Sequence, residues 1–321
     1  MATQKSACVY IGDELARYGF GEGHPFGPDR LGAFWKHAQT SGLDLRVTQC
    51  LPVSAGRDVI ERFHTHEYVN RVIEQSASGE GFLDCGDTPA FPGIYESACF
   101  VVGSVLDAIQ RLINGKCRHA FVPIAGLHHA QRNSAAGFCV FNDCGVAIET
   151  LRSEYGLQRI AYVDIDAHHG DGVFYSFEDD PQLIFADLHE DGRFLYPGTG
   201  MAEEMGTGAA TGTKLNIPMP PEAGDELFFQ AWEIAEAFIE KHRPEFILFQ
   251  CGADSIDGDP ITHLKYTPAA HRHAAQRLCR LADRCCDGRL LVMGGGGYNR
   301  SNLAMAWTAV LEELVESCPG R

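Results

Sequence analysis

"IAYVDIDAHHGDGV" (160–173) opens as an apolar run suited to a β-strand covered on both faces and closes in a crowd of acids and imidazoles. Burying Ile160, Tyr162 and Val163 is favourable, but Asp164, Asp166, His168, His169 and Asp171 need something to offset their polarity. A metal ion, a hydrogen-bonded catalytic network or open solvent would each do so. In an extended chain alternate side chains share a face, which predicts Asp164, Asp166 and His168 on one side and Ile165 and Ala167 on the other. Two carboxylates and an imidazole suit a borderline ion such as zinc, and catalytic zinc sites keep a position open for water. The best candidate for a further ligand is Asp254 in "GADSIDGDP" (252–260), although an Asp after a strand is more often a loop or helix-cap residue.

Outward from this stretch, similar β-rich runs recur at 7–11, 119–124, 183–188, 214–219, 246–251 and 290–295. Between them, apolar residues at three- and four-residue spacing predict helices near 92–114, 144–155, 225–242, 267–284 and 302–316. Continuous apolar strands alternating with helices point to a single-domain three-layer α/β/α fold over 1–321 with a mostly parallel central sheet. Ligands of such sheets bind beyond the carboxyl ends of the strands. There the polar residues gather: "GLHHAQ" follows 119–124, "DAHHGD" ends 160–165, "GADSIDGDP" follows 246–251 and "GGGGYN" ends the 290–295 run.

Composition excludes several function classes. The 26 Lys and Arg against 43 Asp and Glu give a net charge of −17, which argues against direct nucleic-acid binding and favours a cationic substrate. No apolar run approaches the length needed to span a bilayer, and the first residues show no secretory signal, so the cytoplasm is the expected location. Twelve scattered cysteines without a CxxC pair form neither a disulfide scaffold nor a zinc ribbon; adjacent Cys285 and Cys286 suit a helix.

Other side chains in these segments carry chemistry. His128 and His129 are neighbours and would enter one pocket only on irregular backbone, which Gly126 permits. Asp164 and Asp171 would each orient an imidazole and so build an acid–base apparatus beside a metal. Tyr298 follows four glycines and would donate to a carbonyl or oxyanion. That glycine run lacks the spacing of a nucleotide-binding loop. Gly137, Phe138 and Cys139 would form an apolar wall near the histidines, although that segment alone reads as a loop entering a helix.

Taken together, "HPFGPDR" (24–30), "FHTHEYV" (63–69), "GDTPAFPGIYESA" (86–98), "GLHHAQRNSAAGFCVFND" (126–143), "YVDIDAHHGDGV" (162–173), "YPGTG" (196–200), "GADSIDGDP" (252–260) and "GGGGYN" (294–299) resemble the histone deacetylase family of the arginase–deacetylase fold. Bacterial acetoin-utilisation and acetylpolyamine amidohydrolase relatives belong to that resemblance. It implies an approximately eight-stranded sheet and zinc, or Fe2+ or another divalent ion, on Asp166, His168 and Asp254. His129 would be the general base and then acid, and His128 its electrostatic partner. Asp164 and Asp171 match the paired carboxylates, and Tyr298 matches the phenol that polarises the acetamide carbonyl. Gly137, Phe138 and Tyr196 match the tunnel walls and Asp87 the rim residue that holds the substrate backbone. Arg30 matches an arginine of the inner acetate-release channel. The implied reaction is hydrolysis of an acetylated lysine or a related acylated amine; no membrane or nucleic-acid partner is implied, and oligomeric state stays open.

Departures from the pattern matter. Family members often have serine where Asp187 stands, beside a potassium site that the resemblance would build from Asp164, Asp166, His168, Asp187 and Leu188. Polyamine-specific relatives can carry glutamate where Ile261 stands, which weakens that substrate reading. An arginase-like dimanganese enzyme would need acids at Gly170 and Ile256. A catalytically silent acyl-lysine reader would be expected to lack a ligand, His129 or Tyr298, and all are present.

Overall fold

In a computed structural model that describes residues 7–317, short apolar segments become eight strands of one sheet. These are β1 (Ala7–Tyr10), β2 (Thr48–Cys50), β3 (His119–Val122), β4 (Ile160–Asp164), β5 (Leu183–Glu190), β6 (Lys214–Met219), β7 (Phe246–Gln250) and β8 (Leu290–Met293). They lie in the order β2-β1-β3-β8-β7-β4-β5-β6 and every pairing is parallel. The sheet is therefore wholly rather than mostly parallel. Its unforeseen member is β2, a short segment whose "TQC" carries no apolar run. All residues of β4 and β7 are buried, and for that reason their sequences run apolar without alternation.

Among the described residues ten α-helices flank the sheet: α1 (Asp13–Ala16), α2 (Arg30–Thr40), α3 (Arg57–Ile60), α4 (His66–Ser78), α5 (Ile94–Ile113), α6 (Asp143–Ser153), α7 (Asp171–Ser176), α8 (Asp225–His242), α9 (Pro268–Cys285) and α10 (Arg300–Glu316). One group packs α5 on α4 and α6, and another packs α10 on α2 and α9. The five predicted helices are present within a few residues, whereas α2 and α4 escaped the periodicity reading. Among the described residues no helix is long and apolar enough to cross a membrane.

Parallel pairing brings all carboxyl ends to one edge, and β3, β8, β7 and β4 are consecutive neighbours. The four polar segments read from the sequence therefore meet. Trp307 of α10 fixes two of these tips from below: its indole N–H donates to the Gly294 carbonyl at 3.1 Å and to that of Cys251 at 3.3 Å. The ring packs edge-on against Phe34 and Phe121 in the core.

Candidate active site

β4 ends at Asp164, and the next residues fold into two short side-chain-capped turns. Asp164 Oδ1 accepts the Asp166 N–H at 3.0 Å, and Asp166 Oδ1 accepts the His168 N–H at 3.0 Å. The alternation expected of an extended chain therefore does not hold for Asp164, Asp166 and His168. Asp164 instead accepts from the Tyr162 hydroxyl at 2.6 Å and pairs with His128 Nδ1 at 2.8 Å. Asp166 and His168 turn to Asp254, which arrives on the loop after β7. One donor atom from each of these three lies within 4.8 Å of the other two, and all three residues are buried.

Burial opposes a charge on His168, but Asp166 at 3.1 Å and Asp254 at 3.0 Å outweigh it and raise the imidazole to about 10. Burial and the Asp166 charge push Asp254 up to about 7. Two carboxylates forced together around one imidazole are a seat for a cation, and the donor set suits a divalent one. The surrounding backbone leaves room for no side chain: a Cβ on Gly252 would stand 2.1 Å from Asp166 Oδ2, and one on Gly296 2.1 Å from Asp254 Oδ2.

Gly126, with φ +95°, lets the loop after β3 carry both histidines inward. His129 Nδ1 faces Asp171 Oδ1 at 2.6 Å, and the Nε2 atoms of His128 and His129 are 3.1 Å apart. With both Nδ1–H groups donating to carboxylates, a proton on either Nε2 is shared between the rings. Burial and the neighbouring His128 hold His129 below the usual imidazole range, against the pull of Asp171. A neutral His129 can accept a proton near pH 7. Gly137, at φ +52°, lies flat on this ring, where a Cβ would meet His129 Cδ2 at 2.4 Å.

Burial, Asp254 and Asp166 push the Tyr298 phenol well above its ordinary value, so it stays a donor. Behind it Arg30 is fully buried, donates to the Gly295 and Gly297 carbonyls and stacks on Phe26 at 4.0 Å. Its Nη1 has no partner among the described residues. Phe138 packs edge-on against Tyr298, and the half-exposed Tyr196 ring lies 5.2 Å from that of His129. At the rim, burial and the adjacent Asp84 raise Asp87 to about 6. Ile261 is partly exposed on the loop that also bears Asp254, and its N–H donates to Asp259 Oδ1 at 3.1 Å.

The model of the histone deacetylase domain matches residues 24–314. The chain belongs to the histone deacetylase family. This deacetylase is 34% identical over 312 residues to the acetoin utilization protein AcuC of Bacillus subtilis, covering 94% of this chain and 80% of the relative. It is 35% identical over 280 residues to a probable deacetylase of Archaeoglobus fulgidus, covering 86% and 77%. Among solved structures, the HD domain of HDA15 superposes with a TM-score of 0.88 at 28% identity, over 97% of this chain and 89% of that one.

Several residues of the deacetylase site escaped sequence reasoning. Gln250 of β7 donates to Asp166 Oδ2 at 2.8 Å and accepts the Gly252 N–H at 2.7 Å, yet within an apolar run it reads as one more strand residue. Asp84 accepts the N–H groups of Gly86, Asp87 and Thr88 and so shapes the rim, and Thr88 in turn accepts from the Phe138 N–H. Asp187 is not a bare extra carboxylate: Oδ1 pairs with His189 Nδ1 at 2.8 Å and Oδ2 accepts the Gly170 N–H at 2.9 Å. Leu188 is buried beside it.

Proposed function

We propose that this deacetylase is a zinc-dependent amidohydrolase that removes acetyl or short acyl groups from acylated lysine side chains or related acylated amines. The convergence of Asp166, His168 and Asp254 beside two histidine–carboxylate pairs carries the reading. Those three side chains would hold zinc, with Fe2+ an alternative for the same donors. When bound, the ion polarises the acyl carbonyl and makes water more acidic.

The chain's own residues do the rest. His129, oriented by Asp171, takes the proton of the attacking water and then delivers it to the leaving amine. His128, tied to Asp164, places a second imidazole against it and shares the charge. Tyr298 donates to the carbonyl oxygen as negative charge develops there. Gly137, Phe138 and Tyr196 guide a slender methylene chain to these groups, and Asp87 at the rim accepts from the substrate backbone. The unpartnered Nη1 of Arg30 supports a role in drawing the carboxylate product inward.

Ile261 presents no charge to a second ammonium group, which favours acyl-lysine over acylpolyamine substrates. A second cation, potassium, is part of the proposal: Asp164, Asp166, His168, Asp187 and Leu188 would hold it. Asp164 and Asp187 stand in register on β4 and β5, and their Oδ2 atoms lie 3.0 and 3.5 Å from the position of a Cβ on Gly170, while His189 pairs with the other Asp187 oxygen. The whole chain would act as one catalytic domain in the cytoplasm, in keeping with free thiols at all eleven described cysteines. A comparison of kcat/KM on acetyl-lysine peptides, acetylputrescine and acetylspermidine tests the substrate. The expected order puts the peptides first; a clear preference for acetylspermidine would reassign the enzyme.

A further inference from the structure

Tyr298 follows a backbone that has little intrinsic direction. Gly295 and Gly297 adopt φ +68° and +120°, and a Cβ on Gly297 would stand 2.9 Å from that of Ala253. Something else must hold the residue. Asp259 is 8% exposed, and its carboxylate gathers backbone N–H groups from two distant segments. Oδ2 accepts from Tyr298 at 2.8 Å and from Asn299 at 3.3 Å, while Oδ1 accepts from Ile261 at 3.1 Å. The other end of the Tyr298 residue is also held, because Arg300 Nη1 donates to its carbonyl at 2.9 Å and to that of Pro25 at 3.0 Å.

The geometry points to Asp259 as the positioning residue of the Tyr298 phenol, with Arg300 as its counterpart on the far side of the same residue. The inference rests on the proposed role of Tyr298. An Asp that caps only its own turn would bind the Ile261 N–H and nothing else. This one joins the loop that bears Asp254 and Ile261 to the loop that bears Tyr298, so the phenol keeps a fixed place relative to the metal trio. Asn299 extends the join, since its Oδ1 accepts from Ser301 and Asn302 at the start of α10 and its Nδ2 donates to Gly258. The two acceptor oxygens of Asp259, one for each segment, let the carboxylate serve both at once.

Asp259→Asn keeps the shape and removes one of those acceptors. On a fluorogenic acetyl-lysine peptide, the variant is expected to lose about tenfold or more in kcat, as slight misplacement of a catalytic group does. KM should stay within about twofold. Zinc content should equal that of the parent protein. The double variant with Tyr298→Phe should be no slower than Tyr298→Phe alone, because a misplaced phenol and an absent one cost the same step. Full activity in Asp259→Asn, loss of its zinc, or losses that multiply in the double variant would each overturn the inference. Should Asp259→Asn fail to fold, Arg300→Gln carries the same test: a smaller fall in kcat that vanishes in the Tyr298→Phe background, with multiplying losses again the contrary result. Undiminished turnover in Tyr298→Phe itself would instead remove the role of the phenol, and with it the ground for this inference.

Discussion

β4 and β5 lie side by side, Asp164 opposite Asp187, and both tips carry an Asp and a His two residues apart: Asp166 and His168 on one, Asp187 and His189 on the other. The chemistry diverges. β5 continues in register with β6 as far as Glu190 opposite Met219, so Asp187 and His189 stay on one face of a regular strand. His189 spends both ring nitrogens there, one on Asp187 and one on the Gly200 carbonyl at 2.9 Å, and both side chains are fully buried. β4 stops early, its tip curls through two capped turns, and the neighbouring β7 supplies Asp254 together with a glycine that leaves space. The same spacing thus yields a closed ion pair in one strand and an open cation seat in the next. Strand termination and the adjoining strand tip decide which.

The largest expected effect separates the two tips. Asp254→Asn should lower turnover of an acetyl-lysine peptide by about a thousandfold or more, since it removes a ligand of the ion that activates water and carbonyl. His189→Leu should leave most of the activity. Equal losses in the two variants would erase the distinction. Next comes the phenol over the open seat: Tyr298→Phe is expected to cost about a hundredfold in kcat, the scale for one oxyanion donor, with metal content unchanged.

On the closed side the cost should appear in stability. His189→Leu leaves Asp187 buried without its imidazole partner, and denaturant titration should show a loss of about 3 kcal/mol. A loss below about 0.5 kcal/mol would mean that the pair is not needed to neutralise Asp187.

Near neutral pH the smallest effect concerns imidazoles with no carboxylate partner. His64 accepts the Asn142 N–H on Nε2, and His271 faces the Gly252 carbonyl; burial lowers them to about 3 and about 4. Both lie below the ordinary 6.5 of the unfolded chain, so the unfolded state takes up protons first on acidification. Their share of stability is whole above pH 6.5 and falls toward pH 4, by roughly 1.4 kcal/mol per pH unit for each. Denaturation midpoints measured across this range should flatten in His64→Gln if that histidine contributes, and keep their slope if it does not.

The comparison also explains what the sequence made legible. Acids and imidazoles after apolar runs announce a site, because a chain rarely sets such groups against its own core, and parallel pairing gathers them without further information. Thus the sequence names Asp166, His168, Asp254, His128, His129 and Tyr298 as candidates, and the fold brings Asp166, His168 and Asp254 together. Alternation misdescribes the tip of β4, since nothing in "DIDAHH" says where strand pairing stops. β2 was unreadable because Thr48 and Gln49 are polar and only Cys50 is buried. α4 had a readable start, with Thr65 accepting the Tyr68 N–H, but a weakly apolar body. Gln250 and Asp259 act on groups brought close only by folding, the Asp166 carboxylate and the Tyr298 N–H, while Asp84 caps its own turn; their local text reads as strand or turn.

Titration calorimetry of zinc into chelator-treated protein tests the central claim most directly, with the parent chain, Asp254→Asn and His189→Leu run side by side. One zinc per chain is predicted for the parent and for His189→Leu, and none for Asp254→Asn under the same conditions. Undiminished binding in Asp254→Asn, or none in the parent, would contradict the convergence of the β4 and β7 tips on a single ion.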